Sequence, residues 1–337
     1  MPVPRDEGVS IRKALAAALR IDRRYVVAVS GGMDSMVLLE AIAGLDRRIA
    51  VTIANFDHRT GPHSARASRL VQRRAAAHRM KCIVGRSTVV STRESDWRDE
   101  RWAFLRNLAT RIGAEIVTGH TRDDQVETVF MRILRDAGPR GLAALYAESD
   151  IVRPFLDLDR ASIARFAAAN KVQFVDDPSN ASRAHLRNRV RLDLLPAINR
   201  VRRSFPQELL SLSRNAATWR SNMDDAAEQI GAEVMSNGSI RIARGALSGY
   251  DPESLRTLWP AIAALANVVM DRRGTHRLAE FTIKGRTGGS IQLSGGIEVR
   301  MFRDYLQLGR WDAGSVEIAR SARLGLVRRN AFAPGHA

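Results

Sequence analysis

The feature that most constrains the fold is a regular alternation of short apolar runs with helical patterns in the first half of the chain. Apolar runs at 25–29, 49–56, 81–86 and 114–118 predict four strands. Segments with helical spacing follow each of them, at 34–45, about 64–79, about 97–112 and 123–135, with a further helix at 162–170. Strands that alternate with helices of this length predict an α/β fold, a doubly wound parallel sheet with helices on both faces.

The pattern changes in the second half, around residues 196–206. From Leu209 to Val234, apolar residues recur in steps of three and four, which predicts one long amphipathic helix of about 40 Å. A mixed segment and a glycine-rich hairpin, 290–293 against 297–302, follow it. We therefore expect a catalytic domain at 1–200, a linker helix at 201–237, a smaller C-terminal α+β domain at 238–325 and a basic tail at 326–337.

The charge of the chain indicates a polyanionic partner. The 337 residues include 53 basic and 36 acidic ones, a formal net charge of +17, which favours nucleic acid first and an anionic membrane second. The single cysteine, Cys82, excludes a disulfide framework, and its apolar surroundings favour a buried small residue over a nucleophile. No stretch is long and apolar enough to span a bilayer, and the N-terminus makes a poor signal peptide, so we expect a cytoplasmic protein without a membrane partner.

The sharpest local motif is Ser30-Gly31-Gly32-Met33-Asp34-Ser35, between the first predicted strand and its helix. Glycines allow close approach of a phosphate, and the N–H groups at a helix start attract an anion. Asp34 suits a phosphate only if Mg²⁺ lies between them. The alternative is an ordinary Ser or Asp cap on a plain helix, but the strand–turn–helix context favours a nucleotide site.

A second cluster of chemically active side chains joins the fourth strand to its helix. His120 lies at the strand end, and Asp123, Asp124 and Glu127 share one face of the first helical turn. Helices often begin with acidic residues for electrostatic reasons alone, which is the alternative explanation. The position of His120 at the same sheet edge as the glycine loop favours a functional cluster.

The glycine loop resembles the pyrophosphatase loop (PP-loop) of the N-type ATP pyrophosphatases, a superfamily with a Rossmann-like sheet that adenylates an oxygen and releases pyrophosphate. Further segments narrow the resemblance, and their order along the chain resembles the tRNA(Ile)-lysidine synthetase family over about 25–200. These segments are 55–59, 119–128, 132–142, 153–155, 176–180 and 186–191. The chain departs from the family pattern beside His58 and at Thr121, where many members carry a second histidine.

The resemblance implies a reaction that uses ATP and L-lysine to modify the wobble cytidine of tRNA(Ile) with a CAU anticodon, changing the codon read from AUG to AUA. The cytidine C2 oxygen attacks the α-phosphorus, and pyrophosphate leaves. The lysine ε-amine then attacks C2, and AMP leaves. We expect the amine proton to pass to His120 or to one of the neighbouring carboxylates.

The resemblance also implies a role for each site residue. ATP would bind to Ser30, Gly31, Gly32, Met33, Asp34 and Ser35, with Mg²⁺ between Asp34 and the phosphates. Lysine would bind to Asp123, Asp124 and Glu127, and the catalytic set would be Asp34, His120, Asp124 and Glu127. Contacts to tRNA or phosphate would come from Arg98, Arg101, Arg187, Asn188 and Arg189. The C-terminal domain would recognise the acceptor stem or tRNA body, and a homodimer stays open.

Two alternative functions remain at this point. One is a tRNA sulfur-transfer enzyme of the same superfamily, which usually needs paired cysteines, whereas this chain has only Cys82. The other is a non-catalytic nucleotide-binding or RNA-binding protein. The presence of the acidic residues Asp34, Asp124 and Glu127 argues against this alternative.

Overall fold

The alternating segments of the first half form the predicted parallel sheet. The structure, a computed structural model, describes residues 5–46, 48–88, 94–177 and 181–310. Five parallel strands pair in the order β3-β2-β1-β4-β5. Their bounds are Arg24–Ala28 (β1), Ala50–Asp57 (β2), Lys81–Arg86 (β3), Glu115–Val117 (β4) and Ile151–Val152 (β5). The fifth strand, two residues long, has no counterpart in the sequence prediction, because so short a run leaves no periodic signal.

Helices cover both faces of this sheet, which confirms the doubly wound α/β class. On the central strand β1, Val27 packs in one apolar cluster with Leu39 and Ile163, and its neighbour Val26 packs in another with Leu105. Alternate side chains of a strand point to opposite faces, so both faces are buried. The helices are Arg5–Ala18 (α1), Met33–Ala43 (α2), Pro62–Ala77 (α3), Glu94–Ile112 (α4), Arg122–Leu134 (α5), Pro139–Leu142 (α6), Arg160–Ala169 (α7), Leu186–Arg189 (α8), Leu195–Val201 (α9) and Phe205–Gln229 (α10).

Helix α1 is absent from the sequence prediction. It buries Ile11 and Leu15 completely in the apolar cluster on one face of the sheet. Between α8 and α9, a π-helical turn at Val190–Leu194 joins two short helices. Such turns are rare and often lie at functional sites.

The long helix α10 is shorter than its predicted extent of 201–237. It ends at Gln229, and Gly231 adopts a φ of +78°. Val234 belongs to a strand, so the prediction that placed Val234 in the helix is wrong. Glycine readily takes this left-handed conformation, which stops a helix. The chain divides into two compact units, 1–217 and 218–337, within α10 and not at residue 200. The first turns of α10 belong to the first unit because Leu209 and Leu210 pack with Phe130 of α5.

The second unit is α+β, as predicted. Five antiparallel strands pair in the order β6-β7-β10-β9-β8. Their bounds are Glu233–Val234 (β6), Ile240–Ala243 (β7), Ser290–Leu293 (β8), Ile297–Met301 (β9) and Tyr305–Arg310 (β10), and the helices are Pro252–Ala264 (α11) and Arg272–Lys284 (α12). The predicted hairpin is the β8–β9 pair, with Gly295 and Gly296 at positive φ in its turn.

Some predictions fall outside the described residues. The tail at 326–337, the end of the predicted C-terminal domain beyond residue 310 and the loop residues 178–180 lie there. In the part of the chain that the structure describes, no helix has the length and hydropathy needed to cross a membrane.

Candidate active site

The glycine loop is closed by its own two serines. The Ser35 hydroxyl accepts a hydrogen bond from the Ser30 backbone N–H at 3.2 Å and donates one to the Gly32 carbonyl at 2.9 Å. It also lies 3.1 Å from the Ser30 hydroxyl. Helix α2 begins at Met33, and no side chain caps it. The loop residues therefore do not act as an ordinary side-chain cap of α2. The N–H groups at the helix start remain available to an anion.

Two glycines let the loop pack tightly against its neighbours. Gly31 has a φ of +96°, and a Cβ atom there would lie 2.7 Å from the Cβ of Ala67 on α3. Its carbonyl accepts a hydrogen bond from Val175 N–H at 2.9 Å. Gly119, after β4, approaches the Asp34 carbonyl so closely that a Cβ would lie 3.1 Å away. The loop is thus held closely between β4 and α3.

Asp34 is the loop residue best placed to meet a cation. Its Oδ2 accepts a hydrogen bond from Arg160 Nη2 at 2.9 Å, whereas its Oδ1 is buried without a partner. Burial raises the pKa of Asp34, and the Arg160 charge opposes that rise. An unpartnered buried carboxylate oxygen fits Mg²⁺ held between Asp34 and phosphates. Among the described residues, no group of three or more His, Cys, Asp or Glu side chains could hold a metal ion. A Mg²⁺ ion at Asp34 would therefore need phosphate oxygens as further ligands.

Unpartnered buried polar atoms concentrate at the edge where the parallel strands end. Besides Asp34 Oδ1, they are Asn55 Oδ1 in β2, His58 Nδ1 after β2 and Arg153 Nε after β5. Buried polar atoms are hydrogen-bonded in most folds, so a group of exceptions needs a cause. A polar ligand bound along this edge would supply the missing partners.

Asp124 has a structural role at the start of α5. Its Oδ2 accepts hydrogen bonds from Thr121 N–H at 2.9 Å and Thr121 Oγ1 at 3.0 Å, which completes a capping box. Its Oδ1 accepts one from Arg187 Nη2 at 2.8 Å. Burial alone would raise the pKa of Asp124, but the Arg187 charge and the Thr121 N–H hold it below its usual value.

Glu127 is buried in an ion-pair cluster with two arginines. Only 2% of its surface is exposed, and it accepts hydrogen bonds from Arg187 Nε at 2.8 Å and Arg191 Nη2 at 2.9 Å. A third comes from Arg191 Nε at 2.5 Å. Arg191 lies in the π-helical turn, one turn beyond Arg187. Two of the three carboxylates predicted to bind lysine, Asp124 and Glu127, are therefore already paired with guanidinium groups of this chain.

Arg160, which the sequence analysis did not single out, links the two predicted clusters. Its side chain binds Asp34 at 2.9 Å, and its backbone N–H donates to Asp123 Oδ2 at 2.8 Å. It is the first residue of α7, capped by Asp159. No local signal marks it, because Asp34 lies 126 positions away in the sequence.

His120 is a neutral imidazole at the end of β4. Its Nδ1 lies 2.8 Å from Thr118 Oγ1. Burial lowers the pKa of His120 to about 4, assisted by Arg187 and other arginines and opposed by Asp124. The pKa of His58 is also lowered, by burial and by Arg101. Because Arg101 acts on both histidines, it lies at the same strand-end edge.

The five residues predicted to contact tRNA or phosphate have different environments. Arg187 is in the ion cluster, and Asn188 is buried and donates to the Ser182 carbonyl at 2.7 Å. Arg98 and Arg189 are exposed, and Arg101 is partly buried.

A cavity of about 500 Å³ lies beside α5 within the first unit. Its lining includes Arg122, Asp123 and Glu127 of α5, and it also includes Asn199, Arg203 and Gln207. Charged groups of both signs at its surface suit a small zwitterion.

Comparisons with known proteins identify the family of this chain. A family profile for the PP-loop domain matches residues 8–198. A tRNA(Ile)-lysidine synthase of Burkholderia pseudomallei is 31% identical over 331 residues, 91% of this chain and 65% of that protein, so the chain spans about two thirds of its length. One of Methylobacterium sp. is 34% identical over 71% of this chain and 73% of its own.

A solved structure shows the same fold at low sequence identity. A U34-tRNA thiolase from Methanococcus maripaludis superposes with a TM-score of 0.51 and 12% identity, over 63% of this chain and 76% of that one. With the PP-loop profile across more than half of the chain and the Methylobacterium protein matched over most of its length, the chain belongs to the tRNA(Ile)-lysidine synthase family of PP-loop proteins.

Proposed function

We propose that this chain joins L-lysine to C2 of the wobble cytidine in tRNA(Ile) with a CAU anticodon, with ATP converted to AMP and pyrophosphate. The observation that carries the proposal is the group of unpartnered buried atoms at the strand-end edge, which meets the uncapped loop at Asp34. That edge offers hydrogen-bond donors and acceptors to a nucleotide. The carboxylates at the start of α5, Asp123, Asp124 and Glu127, suit an amine.

In the first step, the loop binds the ATP phosphates through the N–H groups at the start of α2 and through Ser30 and Ser35. The cytidine C2 oxygen attacks the α-phosphorus, and the bond to pyrophosphate breaks. Asp34 Oδ1 would hold Mg²⁺, which supplies positive charge to the phosphate oxygens. Arg160 keeps Asp34 in place. Phosphoryl transfer needs positioning and charge more than a nucleophilic side chain, which matches a site of this composition.

In the second step, the lysine ε-amine attacks C2 of the adenylated cytidine, and AMP leaves. The cavity beside α5 would admit lysine, with its ammonium group near Asp123 and Glu127 and its carboxylate near Arg122 or Arg203. The incoming ammonium group would then contact carboxylates that also pair with Arg187 and Arg191. The amine proton would pass to His120 or to one of the neighbouring carboxylates, as the resemblance implies.

The anticodon loop would reach this edge from the solvent side, where Arg98 and Arg189 are exposed and Arg101 lies close to both histidines. Arginine binds phosphate oxygens in a bidentate way, so these residues suit the RNA backbone.

A tRNA thiolase is the second candidate, since such an enzyme shares the fold. Such sulfur transfer usually needs paired cysteines for persulfide or cluster chemistry, and this chain has only Cys82. Cys82 is partly buried in β3, and burial raises the pKa of its thiol, which favours the unreactive protonated form. The chain therefore fits lysine ligation better.

The test is incorporation of labelled lysine into a tRNA(Ile) transcript with a CAU anticodon, in the presence of ATP and Mg²⁺, beside a methionine tRNA. We expect lysine on the isoleucine tRNA only, with one AMP formed per lysine. Asp34→Asn should lower the rate at least about a hundredfold, because a preorganised charge at the phosphates is lost. Asp46→Asn, which removes an exposed carboxylate beyond α2, is the matched control. Pyrophosphate release without lysine transfer would disprove the proposed acceptor.

A further inference from the structure

The second unit has one sheet face covered by helices and one that carries polar and aromatic side chains. Trp259 of α11 and Leu278 of α12 pack in one apolar cluster with Val299 and Leu306 of the sheet. Arg241, Tyr305, Gln307 and Arg300 alternate with buried strand residues and are partly exposed. In the register, Gln307 of β10 stands opposite both Arg241 of β7 and Arg300 of β9, so these side chains share the outer face.

Three of the residues at this face form a stack. The Phe302 and Tyr305 rings lie 4.5 Å apart with an interplanar angle of 18°. The Arg241 guanidinium lies 4.3 Å from the centre of the Tyr305 ring. Since a ring has two faces and Phe302 covers one, Arg241 covers the other. Phe302 is therefore the end of the stack, and 36% of its surface is exposed.

The stack is held rigidly. Phe302 N–H donates to the Tyr305 carbonyl at 2.8 Å, which closes a tight turn through Arg303 and Asp304. Arg244 Nη1 donates to the Arg303 carbonyl and to Thr287 Oγ1, both at 3.2 Å. A fixed aromatic surface loses little conformational entropy when it binds a partner.

The charges around the stack suit a polyanion. Arg241 lies on the Tyr305 ring, Arg303 lies in the turn, and Arg244 donates to the Arg303 carbonyl. The acidic neighbours are Asp304 of the turn and Glu233, which stands opposite Arg241 in the register. The Nε atom of Arg241 is buried without a partner. A flat open ring bordered by guanidinium groups is the arrangement that binds single-stranded nucleic acid, because bases stack on the ring and phosphates meet the arginines.

We propose that the Phe302–Tyr305–Arg241 stack is a platform for one unpaired base of an RNA, with the adjoining phosphates on Arg244 and Arg303. The proposal rests on the proposed function for its choice of RNA, and it deepens that function by assigning particular residues of the second unit to RNA contact. A protein partner would not need the open ring face and the arginines together.

The test is the dissociation constant of the full chain for the tRNA(Ile) transcript at fixed salt. We expect Phe302→Leu to weaken binding about five- to a hundredfold, the effect of losing one stacked base. Phe302→Trp, which keeps an aromatic face, should bind within about threefold of the original chain. Tyr250→Leu removes another exposed aromatic ring of the same unit and should leave the affinity unchanged.

The outcomes separate this proposal from the proposed function. Unchanged affinity in Phe302→Leu overturns the platform. If Phe302→Leu is unfolded by circular dichroism, Arg303→Gln replaces it, and an unchanged affinity with an unchanged salt dependence overturns the proposal in the same way. Because binding is measured without turnover, tRNA binding that depends on Phe302 supports the platform even if no lysine is transferred.

Discussion

Gly31 shows how a single residue sets the geometry of the nucleotide loop. Its positive φ and its approach to Ala67 both exclude a side chain. Gly31→Ala should therefore displace the loop, weaken ATP binding at least about tenfold and lower the free energy of unfolding by about 1–3 kcal/mol. Isothermal titration with ATP and urea unfolding measure the two effects.

The double variant Gly31→Ala with Ala67→Gly is the matched control for that prediction. It removes the nearest contact but keeps the unfavourable φ, so we expect part of the ATP affinity to return. Full affinity in Gly31→Ala alone would show that the close packing of the loop against α3 has no role in binding.

His120 should make stability depend on pH. Its pKa is about 4 in the folded chain, below the ordinary 6.5. Between these values the unfolded chain takes up a proton that the folded chain does not, so the free energy of unfolding falls as pH falls from 6.5 to 4. The contribution is about 3 kcal/mol, from roughly 1.4 kcal/mol for each pKa unit.

Urea unfolding of His120→Gln at a series of pH values measures that contribution. We expect a flatter profile below pH 6.5 than in the original chain, whereas His63→Gln, at a partly exposed histidine on α3, should keep the original profile. An unchanged slope in His120→Gln would mean that this imidazole is protonated in the folded chain.

At the scale of elements, an ion-pair cluster attaches the α8–α9 segment to α5. Glu127 is buried, and the Arg191 side chain is 24% exposed. Removing one partner leaves the other charge unpaired, so Glu127→Gln or Arg191→Gln should each cost about 2–4 kcal/mol of unfolding free energy. The double variant should cost less than the sum by about 1–3 kcal/mol.

Arg183→Gln provides the control for this cycle. Arg183 pairs with Asp193 in the same segment, but its side chain is 65% exposed. Exposed pairs contribute little, so the change should be below about 0.5 kcal/mol. Additive effects at Glu127 and Arg191 would show that the two side chains do not interact.

For the whole molecule, the net charge of +17 should control RNA binding. Phosphate contacts release counterions, so the logarithm of the tRNA association constant should fall linearly with the logarithm of salt concentration, with a loss of at least about a hundredfold between 50 and 200 mM salt. A filter-binding titration measures this slope. The ratio of affinities for isoleucine and methionine tRNA should change little, since backbone contacts carry no sequence information. A flat salt dependence would contradict a phosphate-based interface.

The sequence by itself determined the sheet, the glycine loop and the acidic start of α5, because each depends on neighbours a few positions apart. Strand β3 matches its predicted bounds, and β1, β2 and β4 lie within one residue of theirs at each end. Local periodicity did not mark α1, whose helix is defined by packing on the sheet, and it extended α10 beyond Gly231.

Only the tertiary structure decided which charges meet. Arg160 reaches Asp34 across 126 positions and Arg191 reaches Glu127 across 64, distances over which no sequence spacing carries information. The sequence singled out Asp124 and Glu127 but not their pairing with Arg187 and Arg191. Burial then set the states of these groups: it lowers the pKa of His120, raises that of Asp34 and leaves one Asp34 oxygen without a partner. Ion pairing and desolvation depend on three-dimensional proximity, which is why folding had to supply them.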